Sequence, residues 1–256
     1  MERPDPRPDP RLDPFPGSAR PGLVRSAPAL VSMVGVSQWP AETLNPHPEG
    51  AEVTEGPEVR EVPEETGDGD ASRWSRAEAF LRARGTAEMP HPGGTLLEHL
   101  GRVRRLLADW GGDPAIQAAG LCHAAYGTDG FDPYLLPVAE RATLAELIGD
   151  RAEALVYLYA SCDRGAVLPR IGGDRPVVFR DRFTGREHIP ADDDLRAFLE
   201  ITAANELDVL AHNAELAERY GPSLYRLFTG AGDLLSAPAR DACTRQLGPH
   251  AALPDH

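Results

Sequence analysis

The chain has 256 residues, enough for one sizeable domain or two small ones, and a formal net charge of -14 at pH 7. The N-terminal segment and the remainder are both acidic, so neither offers the broad basic surface that nucleic-acid binding usually requires. No run approaches the roughly 20 apolar residues of a membrane helix. The three widely spaced cysteines match neither a disulfide framework nor a zinc ribbon, so we expect a soluble protein of the reducing cytoplasm.

Residues 1–72 differ in composition from the rest of the chain. They hold 13 of the 25 prolines and 14 acidic against 6 basic side chains, with almost no apolar periodicity. Such a segment buries too little apolar surface to offset the entropy of ordering it, so we predict a disordered tail. Within it, only residues 29–39 indicate a short strand or docking turn. A helical domain is predicted over residues 73–248, followed by a second tail over 249–256.

Two successive helices are each predicted to point a histidine at the interior. The first has an apolar stripe at helical spacing, formed by Leu96, Leu100, Val103, Leu107 and Trp110. His99 lies on the flank of this stripe. After two glycines, Asp113 and Pro114 form the N-cap and first turn of the second helix. His123 lies on the apolar face of that helix, so we expect both imidazoles to face the same core.

The segments that flank this helix pair supply further candidate residues. A short helix over residues 76–84 precedes the sequence MPHPGG, which interrupts regular structure and places His91 before the first helix. The loop over residues 126–137 follows the second helix and is expected to cover the pocket. Tyr126 and Thr128 are therefore candidates to contact a ligand. The alternative is that Tyr126 packs in the core and Thr128 caps a turn.

Two further helices, over residues 140–148 and 152–162, are predicted before Asp163 and Arg164. We expect these two residues to orient a phosphate of the ligand or the proton of a histidine, or else to form a plain surface ion pair. Residues 175–189 then alternate as in a small β-hairpin. Arg182 contributes to its local positive charge. We expect this charge either to bind an anionic ligand or to face solvent on the strands.

A long helix is predicted from Leu195 to Tyr220, ended by Gly221 and Pro222, with shorter helices over 223–228 and 238–247. Glu206 projects from its core-facing line and Asn205 lies on one edge. A buried carboxylate needs a partner, because burying an unpaired charge costs several kcal/mol. We expect a histidine or a metal ion to be that partner.

The residues quoted above resemble a known family. HLGRVRRLLADWGGDPAIQAAGLCHAAYG, at residues 99–127, resembles the opening of the HD-domain superfamily, and AANELDVL, at residues 203–210, resembles its later helix that bears the last aspartate. The resemblance spans roughly Thr95 to Leu210. It implies a mainly α fold, an HD-like helical bundle, that holds one or two divalent metals for phosphoester hydrolysis or a di-iron centre for oxygenation.

The match departs from the family pattern at two ligands. His99 and His123 match the first two ligands, but Ala124 stands where the family has an aspartate and Asn205 where it has the last one. Magnesium and manganese prefer carboxylate oxygen, whereas iron, nickel and zinc suit imidazole if Glu206 or a third histidine completes the set. The cofactor that the resemblance implies is therefore a divalent metal, with iron, zinc and manganese as the candidates.

Two hypotheses from different classes follow. The first is a metal-dependent enzyme that hydrolyses, or with iron oxidises, a small molecule, phosphorylated or not. Its expected residues are the metal ligands His99, His123 and Asn205, the catalytic Glu206, and the substrate contacts His91, Tyr126, Thr128, Arg164 and Arg182. The second is a catalytically inactive small-ligand sensor or protein-interaction module, whose histidines would be hydrogen-bonded with no open coordination position. Acid–base action without a metal, and plain core histidines, also stay open for the pair.

Overall fold

The computed structural model describes residues 68–129, 134–173 and 176–251, and this part of the chain is mainly helical, as predicted, with two small two-stranded sheets. Its helices are α1 (Asp68–Ala83), α2 (Leu96–Asp109), α3 (Pro114–Cys122), α4 (Arg141–Ile148), α5 (Asp150–Ser161), α6 (Arg164–Val167), α7 (Asp192–Ala211), α8 (Ala214–Ala231) and α9 (Ala237–Leu247). Its strands are β1 (Pro90–His91), β2 (Gly94–Thr95), β3 (Phe179–Arg180) and β4 (Glu187–His188). Several predicted segments lie outside the described residues. They are most of the N-terminal tail, including the stretch 29–39, the loop residues 130–133, residues 174 and 175, where the predicted hairpin begins, and the end of the chain from residue 252.

Local sequence signals fix the start of the two central helices. The Thr95 hydroxyl accepts the backbone N–H of Glu98, and the Glu98 carboxylate accepts that of Thr95, which forms a capping box for α2. The predicted N-cap of α3 is confirmed, because the Asp113 carboxylate accepts the N–H of Ile116 and Pro114 occupies the first turn. These caps set where α2 and α3 begin, and hence which residues face the core.

The predicted apolar stripe of α2 is buried along its whole length. Gly120 lies where α3 crosses α2, and a Cβ there would lie 2.2 Å from the Cδ1 atom of Leu107. The absence of a side chain at Gly120 therefore allows close approach of the two helices. This contact brings His99 and His123 into the same interior, as the sequence predicts.

Helix α7 is the centre of the bundle and contacts α2, α3, α5, α8 and α9. It has buried residues on most of its circumference, including Thr202, Glu206 and Asp208. A helix that is packed on every side brings its polar residues into the core together with its apolar ones. These polar residues must then find partners on the surrounding helices.

Three predictions of element boundaries are corrected by the structure. The first helix begins at Asp68 rather than at residue 76. The long helix predicted to end at Tyr220 is two helices, because Asn213 leaves the helical conformation and its side chain accepts the N–H of Leu216 as the N-cap of α8. Pro222 does not stop a helix but lies inside α8.

The two small sheets are both antiparallel. The predicted hairpin is confirmed, with Phe179 paired to His188 and Arg180 to Glu187. The second pairs Pro90 with Thr95 in a segment predicted to be irregular. Among the described helices, none combines the length and apolarity that crossing a bilayer requires.

Candidate functional site

His99 of α2 is the centre of a polar cluster in the core, with only 1% of its surface exposed. Its Nδ1 atom lies 2.6 Å from Oδ2 of Asp208, and its Nε2 atom lies 3.1 Å from Oδ1 of Asn205. Both partners project from α7. The interface of α2 with α7 therefore fixes the ring through both of its nitrogens.

A second residue of α2 holds the Asp208 carboxylate in place. Arg102 donates from Nε to Oδ1 over 2.7 Å and from Nη2 to Oδ2 over 3.0 Å, a bidentate pair. The same guanidinium also donates to the carbonyls of Pro92 and Gly93. Burial alone would raise the pKa of Asp208, but the hydrogen bonds from His99 and Arg102 lower it to about 2. The carboxylate is ionised at neutral pH and only accepts, so Nδ1 of His99 carries a proton.

Two further histidines surround His99. The Nδ1 atom of His123 donates to the Gly120 carbonyl over 2.8 Å, and its ring meets that of His99 edge to face, with 5.4 Å between centroids. His91 stacks on the other face of His99, with 4.0 Å between centroids. Burial first, and the charge of His99 second, lower the pKa of both His91 and His123 to about 3. Both rings are therefore neutral at pH 7.

The cluster continues from Asn205 to an acidic and a basic residue. The Nδ2 atom of Asn205 donates to Oε1 of Glu206 over 3.2 Å, and the same oxygen lies 3.5 Å from Nη1 of Arg164. Arg164 and Glu206 are only 2% and 3% exposed. Burial raises the pKa of Glu206, and this effect outweighs the opposing influence of Arg164 and Asn205. Arg164 also lies over the ring of Tyr159, 4.9 Å from its centroid.

The predicted substrate contacts divide into two groups. His91 and Arg164 lie in the cluster. The Tyr126 hydroxyl instead donates to Glu153 over 2.8 Å, and Nε of Arg182 donates to the Ala160 carbonyl over 2.7 Å. Thr128 is buried beside Asp129, whose carboxylate accepts the backbone N–H of Arg164 over 2.9 Å. The segment after His123 thus positions α6 through Asp129, while Tyr126 and Arg182 are held by groups outside the cluster.

Three residues of the cluster were missed by sequence reasoning. Arg102 projects away from the apolar stripe of α2 in a helical projection, but its side chain folds back to Asp208 and is 20% exposed. Tyr159 lies in an apolar stretch of α5 and carries no sequence signal of a polar role. Asp208 lies three residues after Asn205 on α7, so a search for acidic residues within one turn of the expected ligands would have found it.

The donor chemistry of the cluster bears on the metal prediction. In the segments that the structure covers, no three His, Cys, Asp or Glu side chains are grouped so as to hold a metal ion. Both nitrogens of His99 are within hydrogen-bond distance of protein atoms, and His123 and Asn205 add only neutral donors. In this arrangement the residues do not fit a divalent cation, because both nitrogens of His99 already have partners and His123 with Asn205 supplies no negative charge. Metal binding stays a prediction for elemental analysis to test.

Comparisons with known proteins cover only part of the cluster. A family model described as Domain of unknown function (DUF6817) matches residues 80–164, about a third of the chain. The match includes the three clustered histidines, Arg102, Tyr159 and Arg164, but not α7, which supplies Asn205, Glu206 and Asp208. No curated protein and no solved structure matches the chain.

Proposed function

We propose that this chain is an enzyme that acts on a small molecule, with His99 as its acid–base group and Glu206 as a second proton-carrying group. The observation that carries this proposal is the 2.6 Å contact between Nδ1 of His99 and the Asp208 carboxylate. Arg102 holds that carboxylate from its other side. A histidine oriented by a buried carboxylate is the arrangement that many hydrolytic enzymes use to move a proton.

The orientation of His99 leaves one nitrogen for chemistry. Because ionised Asp208 accepts the proton of Nδ1, proton exchange with a substrate or a water has to occur at Nε2. This atom faces Asn205 and, beyond it, Glu206. The acid–base nitrogen and the buried carboxyl therefore lie on opposite sides of one carboxamide.

The Asn205 amide accommodates two proton arrangements of the same net charge. With its oxygen toward His99 and its nitrogen toward Glu206, the amide accepts a hydrogen bond from a protonated Nε2 of His99 and donates one to an ionised Glu206 carboxylate. A half turn about the Cβ–Cγ bond exchanges the ends of the amide. The amide nitrogen then donates to Nε2 of a neutral His99, and the amide oxygen accepts from a protonated Glu206. Burial raises the pKa of Glu206 and so makes the second arrangement accessible from the first, in which Glu206 is the ionised partner of Arg164. That arrangement offers a base and an acid at the same time.

Hydrolysis of an ester or phosphoester uses this pair directly. Nε2 of His99 would take a proton from the attacking water, and protonated Glu206 would give one to the departing oxygen. The products then leave a protonated His99 and an ionised Glu206. This is the first proton arrangement, so exchange of protons with water returns the site to its starting state.

A second candidate, the inactive small-ligand sensor, is favoured by one observation. The sensor hypothesis predicts histidines that are hydrogen-bonded within the protein, and both nitrogens of His99 have such partners. The sensor and the enzyme would use the same cluster of residues but differ in turnover. A kinetic experiment therefore separates them.

The test uses the full chain, screened against chromogenic phosphate monoesters and carboxylic esters. His99→Gln is expected to lower kcat by about 100-fold or more, as is Asp208→Asn, since each removes the oriented base. His188→Gln is the matched control, because His188 is an exposed histidine on β4. Equal rates in all four proteins would contradict the proposal, and binding without turnover would favour the sensor.

The same screen tests the metal-dependent form of the hypothesis. Protein purified without added metal is analysed for bound metal and assayed before and after treatment with a chelator. The proposal as stated expects activity that survives chelation. Activity that is lost with the chelator and restored by zinc, iron or manganese would instead support the metal-dependent hydrolase or oxygenase.

A further inference from the structure

Arg164 is buried, and three of its five N–H groups lack a well-formed hydrogen bond. Its Nε and Nη2 atoms have no such partner among the described residues, and Nη1 lies 3.5 Å from Glu206. Nε and Nη2 together form the side-on edge of the guanidinium, where two N–H groups point in the same direction. This edge grips the two oxygens of a carboxylate or a phosphate in a bidentate manner.

Two further unpartnered atoms lie at the same place. The buried Tyr159 hydroxyl lies next to Arg164, whose guanidinium acts on it as a hydrogen-bond donor, but the contact is not well aligned and the hydroxyl proton has no acceptor among the described residues. Oε2 of Glu206 is also buried without a hydrogen-bond partner in the part of the chain that the structure describes. These atoms come from α5, α6 and α7, so three helices converge on one spot. Buried polar atoms are nearly always paired in folded proteins, and a cluster of unpaired ones is typical of a site that binds a polar ligand, an ion or a water.

We propose that Arg164 and Tyr159 anchor the oxyanion group, a carboxylate or a phosphate, of a small-molecule ligand whose neighbouring hydroxyl or amine donates to Glu206. This inference rests on the proposed function and names the class of its substrate. The Arg164 edge supplies two N–H donors, the Tyr159 hydroxyl supplies a third, and Oε2 of Glu206 accepts from the ligand.

The surrounding charges favour an anion at this position. The other buried carboxylate of the cluster, Asp208, is committed to Arg102 and His99. His123, whose ring lies 5.1 Å from that of Tyr159, is neutral. Interactions with Tyr159 and Glu206 raise the pKa of Arg164 despite its burial, so its positive charge is kept. Among the described residues, the guanidinium of Arg164 has one carboxylate within ion-pair distance, that of Glu206, and the contact is long at 3.5 Å.

The proposed anion anchor is connected to the acid–base group by a chain of contacts. Glu206 contacts Arg164 at one end and, through Asn205, His99 at the other. Asp129 fixes the start of α6 by accepting the backbone N–H of Arg164. A ligand held by its oxyanion at Arg164 thus extends toward His99, with its donor group beside Glu206.

The test measures binding of inorganic phosphate and of acetate to the full chain by calorimetry and thermal shift, with chloride at equal ionic strength as the reference. We expect saturable binding of one of the two anions, which also decides between phosphate and carboxylate. Arg164→Lys keeps the charge but loses the bidentate edge, and is expected to weaken binding about tenfold or more. Arg245→Lys is the matched control, because Arg245 is exposed on α9, and should bind as the wild type does.

A conservative variant keeps the test valid if the lysine variant does not fold. Tyr159→Phe removes only the hydroxyl, and it should fold and bind the anion several-fold more weakly. Wild-type affinity in Tyr159→Phe together with Arg164→Lys would overturn the proposal, as would absence of saturable binding of either anion to the wild type.

The variant His99→Gln separates this proposal from the proposed function. Because the imidazole is not part of the anchor, the variant should bind the anion with unchanged affinity. Anion binding without turnover of any ester would leave the anchor standing and remove the enzyme proposal. Turnover that depends on His99, with no anion binding, would do the reverse.

Discussion

Removal of the buried ion pair is expected to stabilise the protein while abolishing anion binding. The change is the double variant Arg164→Met with Glu206→Gln. Replacing a buried ion pair with uncharged side chains of similar volume often raises stability by about 1–4 kcal/mol, because the desolvation of two charges exceeds their attraction. In this pair the attraction is weak, since the closest contact is 3.5 Å.

The unpartnered atoms set the size of the expected gain. The pair leaves Nε, Nη2 and Oε2 buried without hydrogen bonds, and each such atom costs about 1–3 kcal/mol. Methionine at position 164 removes two of them and packs its sulfur against the Tyr159 ring. Glutamine at position 206 keeps an acceptor for Asn205. We expect a gain of about 2 kcal/mol, which raises Tm by about 4–8 °C in a domain of this size.

The single variant supplies the contrast. Glu206→Gln alone leaves the Arg164 guanidinium buried without a counter-charge, so we expect a loss of about 3–5 kcal/mol. Urea unfolding of the full chain at pH 7, without phosphate or carboxylate buffers, gives the free energies of unfolding of the wild type and both variants. A double variant less stable than the wild type would show that the pair exists for stability, and would remove the physical basis of the ligand anchor.

Two further predictions concern packing and pH. Gly120→Ala should lower the free energy of unfolding by about 1–2 kcal/mol, because its methyl group would displace Leu107 in the contact of α2 with α3. Gly101→Ala, in the middle of α2, should raise it by up to about 1 kcal/mol, because a Cβ there would make only an ordinary contact, 3.5 Å from Nη1 of Arg105. The pKa of His123 is lowered to about 3 in the folded protein, so the unfolded chain binds the proton more tightly and stability falls as the pH drops below about 6.5. Between pH 6.5 and pH 5 this residue should account for about 2 kcal/mol of that loss in the free energy of unfolding. The measurement is the free energy of unfolding at the two pH values, which should differ less in His123→Gln than in the wild type. His188 is an exposed histidine, so His188→Gln should show the same pH dependence as the wild type.

The parts of the fold that follow from local pattern could be predicted. The stripe of α2, the cap at Asp113 and the hairpin at residues 179–188 depend on spacing and turn chemistry within a few residues. The inward direction of His99 and His123 follows from the same periodicity. The break between α7 and α8 was not predicted because Asn213 fits the helical spacing of one long helix as well as it fits a cap. Where a polar residue can serve either role, the pattern alone does not decide.

The partners of the site could be predicted less well, for a physical reason. Helix α7 contacts five other helices and has almost no side that faces solvent. The periodicity of apolar and polar residues therefore does not predict which of its side chains are buried. Glu206 and Asp208 are both buried although they project in different directions. The role of Arg102 depends on the reach of a long side chain, which a projection of Cβ directions does not include.

The departures from the HD pattern and the position of Arg164 have one electrostatic explanation. The resemblance implies carboxylates at positions 124 and 205, which would make the site attractive to a cation. In this chain those positions are alanine and asparagine, and a buried guanidinium lies beside the same helix. A divalent metal would be repelled by Arg164 and would gain no charge compensation from Ala124 or Asn205. A permanent cation in the core beside neutral residues at these positions supports the proposal that the site prefers an anion to a cation. The same arrangement supports the proposal that His99 acts as an acid or a base without a metal.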